Sequence, residues 1–216
     1  MRPARPARKS GPRARLGLAA ALALAPAVVA VAQPRPSRVA LPALPVRVAI
    51  VADASGPAVG DAWLGERFST AQELLAGSGV RVMLAGTRPL DARHADLETR
   101  ADRSALARLL EPNVVNVFVV RVLRDVDEVG LRQGVHWHVG RKHYVIVAAT
   151  SGRTTLCHEL GHFFGLSHSD VVGNVMSYDR GSRPPFFDDA QAARMRARAT
   201  RLLRSGEVGA GRAGSG

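Results

Sequence analysis

Residues 158–168 read HELGHFFGLSH, and most of the chemistry available to this chain is concentrated there. On a helix, His158 and His162 fall about 40° apart on one face, one turn separated. Two imidazoles so placed can hold one zinc ion at about 2.0–2.1 Å each. Glu159, about 100° round the helix from His158, can flank that metal and take a proton from a bound water without itself being a ligand. Leu156, Leu160, Phe163 and Phe164 fall between about 140° and 240° on the same wheel. The helix therefore buries one side and presents the histidine pair on the other. Gly165 can adopt a positive φ and turn the chain sharply, and His168 follows three residues later. A third neutral nitrogen completes a three-histidine set with one position left open for water, the coordination of a catalytic rather than a structural zinc. Downstream, residues 174–178 (NVMSY) supply a methionine-bearing turn.

The motif helix is expected over about Thr154–Phe164, and other elements must position it. Val46–Ala52 is a short β-branched strand. Asp61 can cap a helix whose Leu64, Phe68, Ala71 and Leu75 form an apolar stripe, ended by Gly77 and Gly79. Val80–Ala85 is the second strand, Gly86–Arg100 is irregular, and Asp102–Leu110 is a short helix closed by Glu111-Pro112. Val114–Leu123 has the strongest strand signal and reads as buried on both faces. Gly134–Val139 and His143–Ala149 pair around Gly140. Strands and helices alternating on this scale predict an α+β chain with a twisted, mostly parallel sheet and one antiparallel edge strand. At the C-terminal end, Asp188 with Gln191 forms a capping-box start, and Ala192, Met195, Ala199 and Leu202 supply an inward stripe. Residues 205–216, rich in Gly, Ser and Arg, read as a disordered tail.

The 216 residues suffice for one ordinary domain or two small ones, and an apolar fraction of 46% argues against wholesale disorder. One cysteine, Cys157, excludes an internal disulfide framework and clustered thiolate zinc sites. Half of the formal net charge of +12 lies in residues 1–32, which carry Arg2, Arg5, Arg8, Lys9, Arg13 and Arg15 and no acid. With only two Trp and two Tyr to interleave among the arginines, nucleic acid is not an expected partner. The basic start, the apolar run Leu16–Ala32 and the small residues Ala30-Val31-Ala32 fit a secretory signal peptide over residues 1–32, cleaved after Ala32. Pro26 interrupts the run, so no stable membrane span is expected once the leader is removed. Residues 33–45 form a Pro-rich lead-in, and residues 46–204 the catalytic domain, with an upper subdomain to about 165 and a lower one over 166–204. A monomer, secreted or periplasmic, is expected.

At His158, Glu159, His162, Gly165, His168 and Met176 the sequence resembles the metzincin clan of zinc metallopeptidases, through its long zinc motif and Met-turn. The resemblance spans about residues 158–178. It implies a zincin-type fold in which a small C-terminal subdomain ends in a helix. It further implies that the three histidines bind one catalytic Zn2+, that Glu159 is general base and acid, and that Met176 packs beneath the metal. In some members a tyrosine two residues after the methionine contacts the zinc or stabilises the oxyanion, and Tyr178 stands at that position. The resemblance does not assign a subfamily: no cysteine precedes the motif to serve as a latency switch. The implied activity is a secreted zinc-dependent endopeptidase acting on protein or peptide substrates. A zinc-stabilised binding module without catalysis, or an amidase acting on cell-wall peptides, are the other readings.

The remaining polar features carry weaker implications. Cys157 reads as a small buried residue, with a metal-linked thiol as the alternative. His136, His138 and His143 read as solvated strand histidines, with a second zinc or a substrate contact along the edge strand 134–139 as the alternatives. Asp125, Asp127 and Glu128 before Gly130 could ligate Ca2+ but lack the EF-hand register. Arg194, Arg198 and Arg201 read as a solvated helix side.

Overall fold

The β-branched runs of the chain form the centre of its sheet. The structure, a computed structural model, describes residues 41–182 and 184–211, so the expected leader and residues 33–40 of the lead-in lie outside the described residues. In chain order the elements are β1 (Leu44–Asp53), β2 (Gly56–Pro57), α1 (Asp61–Leu75), β3 (Val82–Leu90), β4 (Asp96–Leu97), α2 (Arg100–Ala105), β5 (Val115–Val120), β6 (Val122–Leu123), β7 (Gly134–Val139), β8 (Lys142–Ala148), α3 (Thr155–Phe163) and α4 (Asp189–Ser205). β3, β1, β5 and β8 run parallel in that spatial order, and β7 closes the far edge antiparallel to β8. The short β2 pairs antiparallel with the end of β1. This is the expected α+β architecture with one antiparallel edge strand beside the motif helix.

Two apolar layers flank the sheet. Val46, Val48, Val117, Val119, Val145 and Val147 face α1, α3 and α4, whose Leu64, Phe68, Leu156, Leu160, Met195 and Leu202 complete that core. Val51, Phe118, Val120, Tyr144 and Ile146 face the opposite way, against Leu97, Leu106 and Ala107. Period-two alternation along each central strand assigns successive side chains to the two layers. All six residues of β5 are buried; Asn116, the one polar residue in the run, is satisfied by side-chain hydrogen bonds with the Glu111 backbone.

Several elements differ from the sequence expectation. The residue preceding α1 in the N-cap position is Gly60, and Asp61 is the first helical residue, where its charge faces the positive end of the helix. β3 continues through Gly86 to Leu90 because a bulge opposite Val46–Arg47 resets its register on β1. α2 starts earlier than expected, at Arg100, behind a Thr99–Asp102 capping box, and a 3-10 turn carries Leu106–Leu109. The run 114–123 splits at Arg121: the N–H groups of Arg121 and Val122 both donate to Ala95 O, which turns β6 off the main sheet onto β4. β1 begins within the lead-in, at Leu44. Of the expected tail 205–216, Ser205 ends α4 and residues 212–216 lie outside the described residues; between them Val208 is buried, and the Gly209 and Gly211 N–H groups donate to the Asn113 and Ala43 carbonyls. Among the described residues no helix is long and apolar enough to cross a membrane.

Candidate metal centre and active-site cleft

A nine-residue helix such as α3 is marginal in water by itself, so packing must hold it. Leu156, Cys157, Leu160, Phe163 and Phe164 are buried in the layer beneath β8 and β5, and each large apolar side chain removed from water contributes about 1.5–3 kcal/mol. The helix ends in a Schellman turn: Gly165, at φ 87°, donates to His162 O, and Leu166 donates to Gly161 O. That reversal brings His168 back over the face carrying His158 and His162. Met176 is fully buried, and a Cβ on Gly161 would collide with its sulfur. Glycine at 161 thus lets the methionine turn pack directly on the helix backbone.

Two backbone carbonyls fix the imidazoles. His158 Nδ1 lies 2.7 Å from Val175 O, and His162 Nδ1 lies 2.8 Å from Leu166 O. A carbonyl only accepts, so each Nδ1 carries the hydrogen and each Nε2 is left as a bare lone pair. Yet His162 Nε2 stands 3.2 Å from His158 Nε2 and 3.1 Å from His168 Nε2. Two lone pairs cannot hydrogen-bond each other; a cation between them satisfies both. Nitrogens about 2.0–2.1 Å from a tetrahedral zinc are about 3.3 Å apart, close to the spacing found. The donor set therefore fits zinc, with the carbonyls acting as the outer partners that orient metal-binding histidines. Burial, and then the mutual proximity of the rings and Arg180, pushes His158 down to about 4, and burial also lowers His162 and His168. The rings are thus uncharged at neutral pH, as metal binding requires.

Glu159 and Tyr178 flank the triad. Burial pushes the Glu159 carboxyl up to about 8, opposed by the His136 backbone N–H and by Arg132. The Tyr178 hydroxyl lies 3.0 Å from His168 Nε2, on a side chain that is 68% exposed. All five side chains border one groove of about 1160 Å³, with β7 along its edge.

Some residues that build this site carry no signal in a motif search. A Cβ on Gly134 would sit 2.7 Å from Glu159 Cγ and 2.8 Å from its Oε1, so only glycine lets the edge strand approach the carboxylate. Gln133 Oε1 accepts from the Gly152 N–H and the Thr155 hydroxyl, both at 3.0 Å, tying the start of α3 to β7. Arg132, held by Asp125 at 2.6 Å, reaches toward Tyr178. A glycine opening the predicted edge strand was the one available hint.

The acidic turn does not assemble as a calcium site. Asp125 is committed to Arg132, and Asp127 to Arg100. Among the described residues the groups with metal-holding geometry are His158–His162–His168 and His136–His138–His143. The second triad also departs from the solvated reading, since His143 stacks on Phe163 with centroids 4.3 Å apart and its side chain is only 7% exposed. Cys157 is buried, and burial pushes its thiol up to about 12, so it is an inert core residue.

Comparison of the fold with solved structures places these elements in a known arrangement. Promirolysin of Tannerella forsythia (the E225A mutant) superposes with a TM-score of 0.58 at 13% identity, over 78% of this chain and 84% of that one. Archaemetzincin of Methanopyrus kandleri gives 0.52 at 17% identity, over 74% and 97%. Metalloproteinase-II of Bacteroides fragilis gives 0.51 at 18% identity, over 76% of this chain. The chain shares their fold. It spans 55% of the length of metalloproteinase-II. No family model and no curated protein matches the sequence.

Proposed function

We propose that this chain is a zinc-dependent endopeptidase of metzincin type, exported from the cell and acting on extended protein or peptide substrates. The observation that carries the reading is the pair of bare Nε2 lone pairs of His158 and His162, held face to face by Nδ1 bonds to backbone carbonyls, with His168 alongside. The metalloproteinase and archaemetzincin folds among the structural neighbours support it. Bound there, zinc lowers the pKa of water toward ~7 and polarises a carbonyl.

The chain's own residues supply the rest. Glu159, desolvated against Gly134, accepts the proton of the attacking water and returns it to the leaving amine. With a dication on the neighbouring imidazoles, the Glu159 carboxyl would ionise more readily than its metal-free value implies. The Tyr178 hydroxyl, on an exposed side chain bordering the groove, donates to the developing oxyanion. Among the described residues β7 is paired on one side only, and its other edge receives the peptide as an added strand, which holds the scissile bond across the groove.

The intact Glu159 disfavours a binding module that has lost catalysis. Digestion of protein, peptide and muropeptide substrates by the purified chain, with and without chelator, tests the reading. Chelator-sensitive internal cleavage of proteins is expected; turnover of muropeptides alone would replace endopeptidase by amidase, and no turnover by the zinc-loaded chain would leave the binding module. Export rests on residues 1–32, and sequencing the protein recovered outside the cytoplasm is expected to give Gln33 as its N-terminus.

A further inference from the structure

Three more imidazoles converge on the same face of the sheet as α3. In the β7–β8 hairpin His138 lies directly across from His143, and His136, two residues back, falls on the same face. Their potential ligand atoms all lie within 4.8 Å of one another. His136 packs edge-on against the rings of His138, His143 and Phe163. From beyond the end of α4, Glu207 Oε1 approaches His143 Nε2 to 2.7 Å. An ionised carboxylate only accepts, so His143 carries its hydrogen on Nε2 and turns a bare Nδ1 toward His136 Nε2, 2.8 Å away. A carboxylate on the outer nitrogen of a histidine whose ring is largely buried is the arrangement that orients metal ligands. Arg198 and Glu207 place opposite charges beside the cluster.

We propose that His136, His138 and His143 form a second binding site, for a divalent transition ion of the zinc class, distinct from the site on α3. Imidazole donors without carboxylates suit zinc, cobalt or copper rather than calcium or magnesium. The ion takes the place of the proton between His136 and His143, with His136 then carrying its hydrogen on Nδ1. His138, the exposed member, rotates inward to bring its nitrogen to the ~3.3 Å spacing of a tetrahedral site. Bound there, the ion clamps the hairpin, and the His136 backbone N–H that it steadies is the one that bonds Glu159.

The test is metal stoichiometry of the full chain, stripped by chelator, reloaded with Zn2+ or Co2+ and desalted before elemental analysis. The native chain is expected to bind two ions, the H158A/H162A variant one, and the H138A/H143A variant one. H138A alone, altering the exposed ring, is expected to weaken the second ion at least ~10-fold while keeping the native circular dichroism. Glu207→Gln is expected to weaken it about 10–100-fold and leave the first ion unchanged. A native chain that binds one ion, with none left in H158A/H162A, overturns the second site and leaves a hydrogen-bonded Glu207–His143–His136 chain. One ion lost in H138A/H143A but kept in H158A/H162A would instead overturn the site on α3.

Discussion

Burial and charge act on Glu159 in opposite directions, and the balance is what suits it to proton transfer. In the metal-free chain desolvation holds its carboxyl up to about 8, and a cation on the neighbouring imidazoles favours the ionised form that accepts a proton from water. Glu159→Gln keeps the shape and removes the basicity, so kcat is expected to fall by about 10²–10⁴-fold with the zinc content of the α3 site unchanged. Parallel assay and elemental analysis check both halves. Tyr178→Phe removes one donor to the oxyanion and is expected to lower kcat by about 10²–10³-fold with little change in KM. Equal losses for a substrate bound but not turned over would assign Tyr178 to binding instead. At this scale the sequence was highly legible, because the two histidines and the glutamate are placed by the helical period alone. Gly134 was not, because its contact with Glu159 exists only once a distant strand becomes the sheet edge.

At the scale of elements, α3 is fixed by what touches its two sides. Gly161 admits Met176 on one flank and Gly134 admits the Glu159 carboxyl on another. Gly161→Ala forces a methyl into the methionine sulfur, and overpacking of this kind costs about 1–3 kcal/mol; denaturant unfolding of the variant measures it. Gly134→Ala pushes against Glu159 Cγ, so activity is expected to drop further than stability does. β1, β5 and β8 could be read from β-branched runs, and α4 from its capping box and stripe. The second half of β3 could not: Gly86-Thr87-Arg88-Pro89 has no strand pattern, and its pairing with β1 depends on a bulge. Residues 206–211 were equally hidden, since they dock mainly through backbone hydrogen bonds, which composition does not encode.

For the molecule as a whole, the same buried groups set the response to acid. In the folded, metal-free chain burial holds His158 at about 4 and His136 at about 2, whereas both take up a proton near 6.5 when unfolded. The unfolded state therefore binds more protons through that window, and stability is lost as pH falls below 6.5. Glu159 has the opposite sign: its folded value of about 8 lies above the ordinary 4.5, so its contribution grows as pH falls through 8 and is constant below 4.5. Two histidines outweigh one carboxyl at acid pH, and the melting temperature of the metal-free chain is expected to peak near pH ~6–7 and decline toward pH 4.5. Zinc added at neutral pH is expected to raise the melting temperature, since only the folded state presents the assembled triad.

The most direct test of the central claim is anomalous diffraction at the zinc edge from crystals of the zinc-loaded chain. A peak about 2.0–2.1 Å from Nε2 of His158, His162 and His168 together, with the Glu159 carboxylate outside the ligand set, is the predicted result. A metal held by only two of these rings, or no ion between them in zinc-loaded crystals, would contradict it.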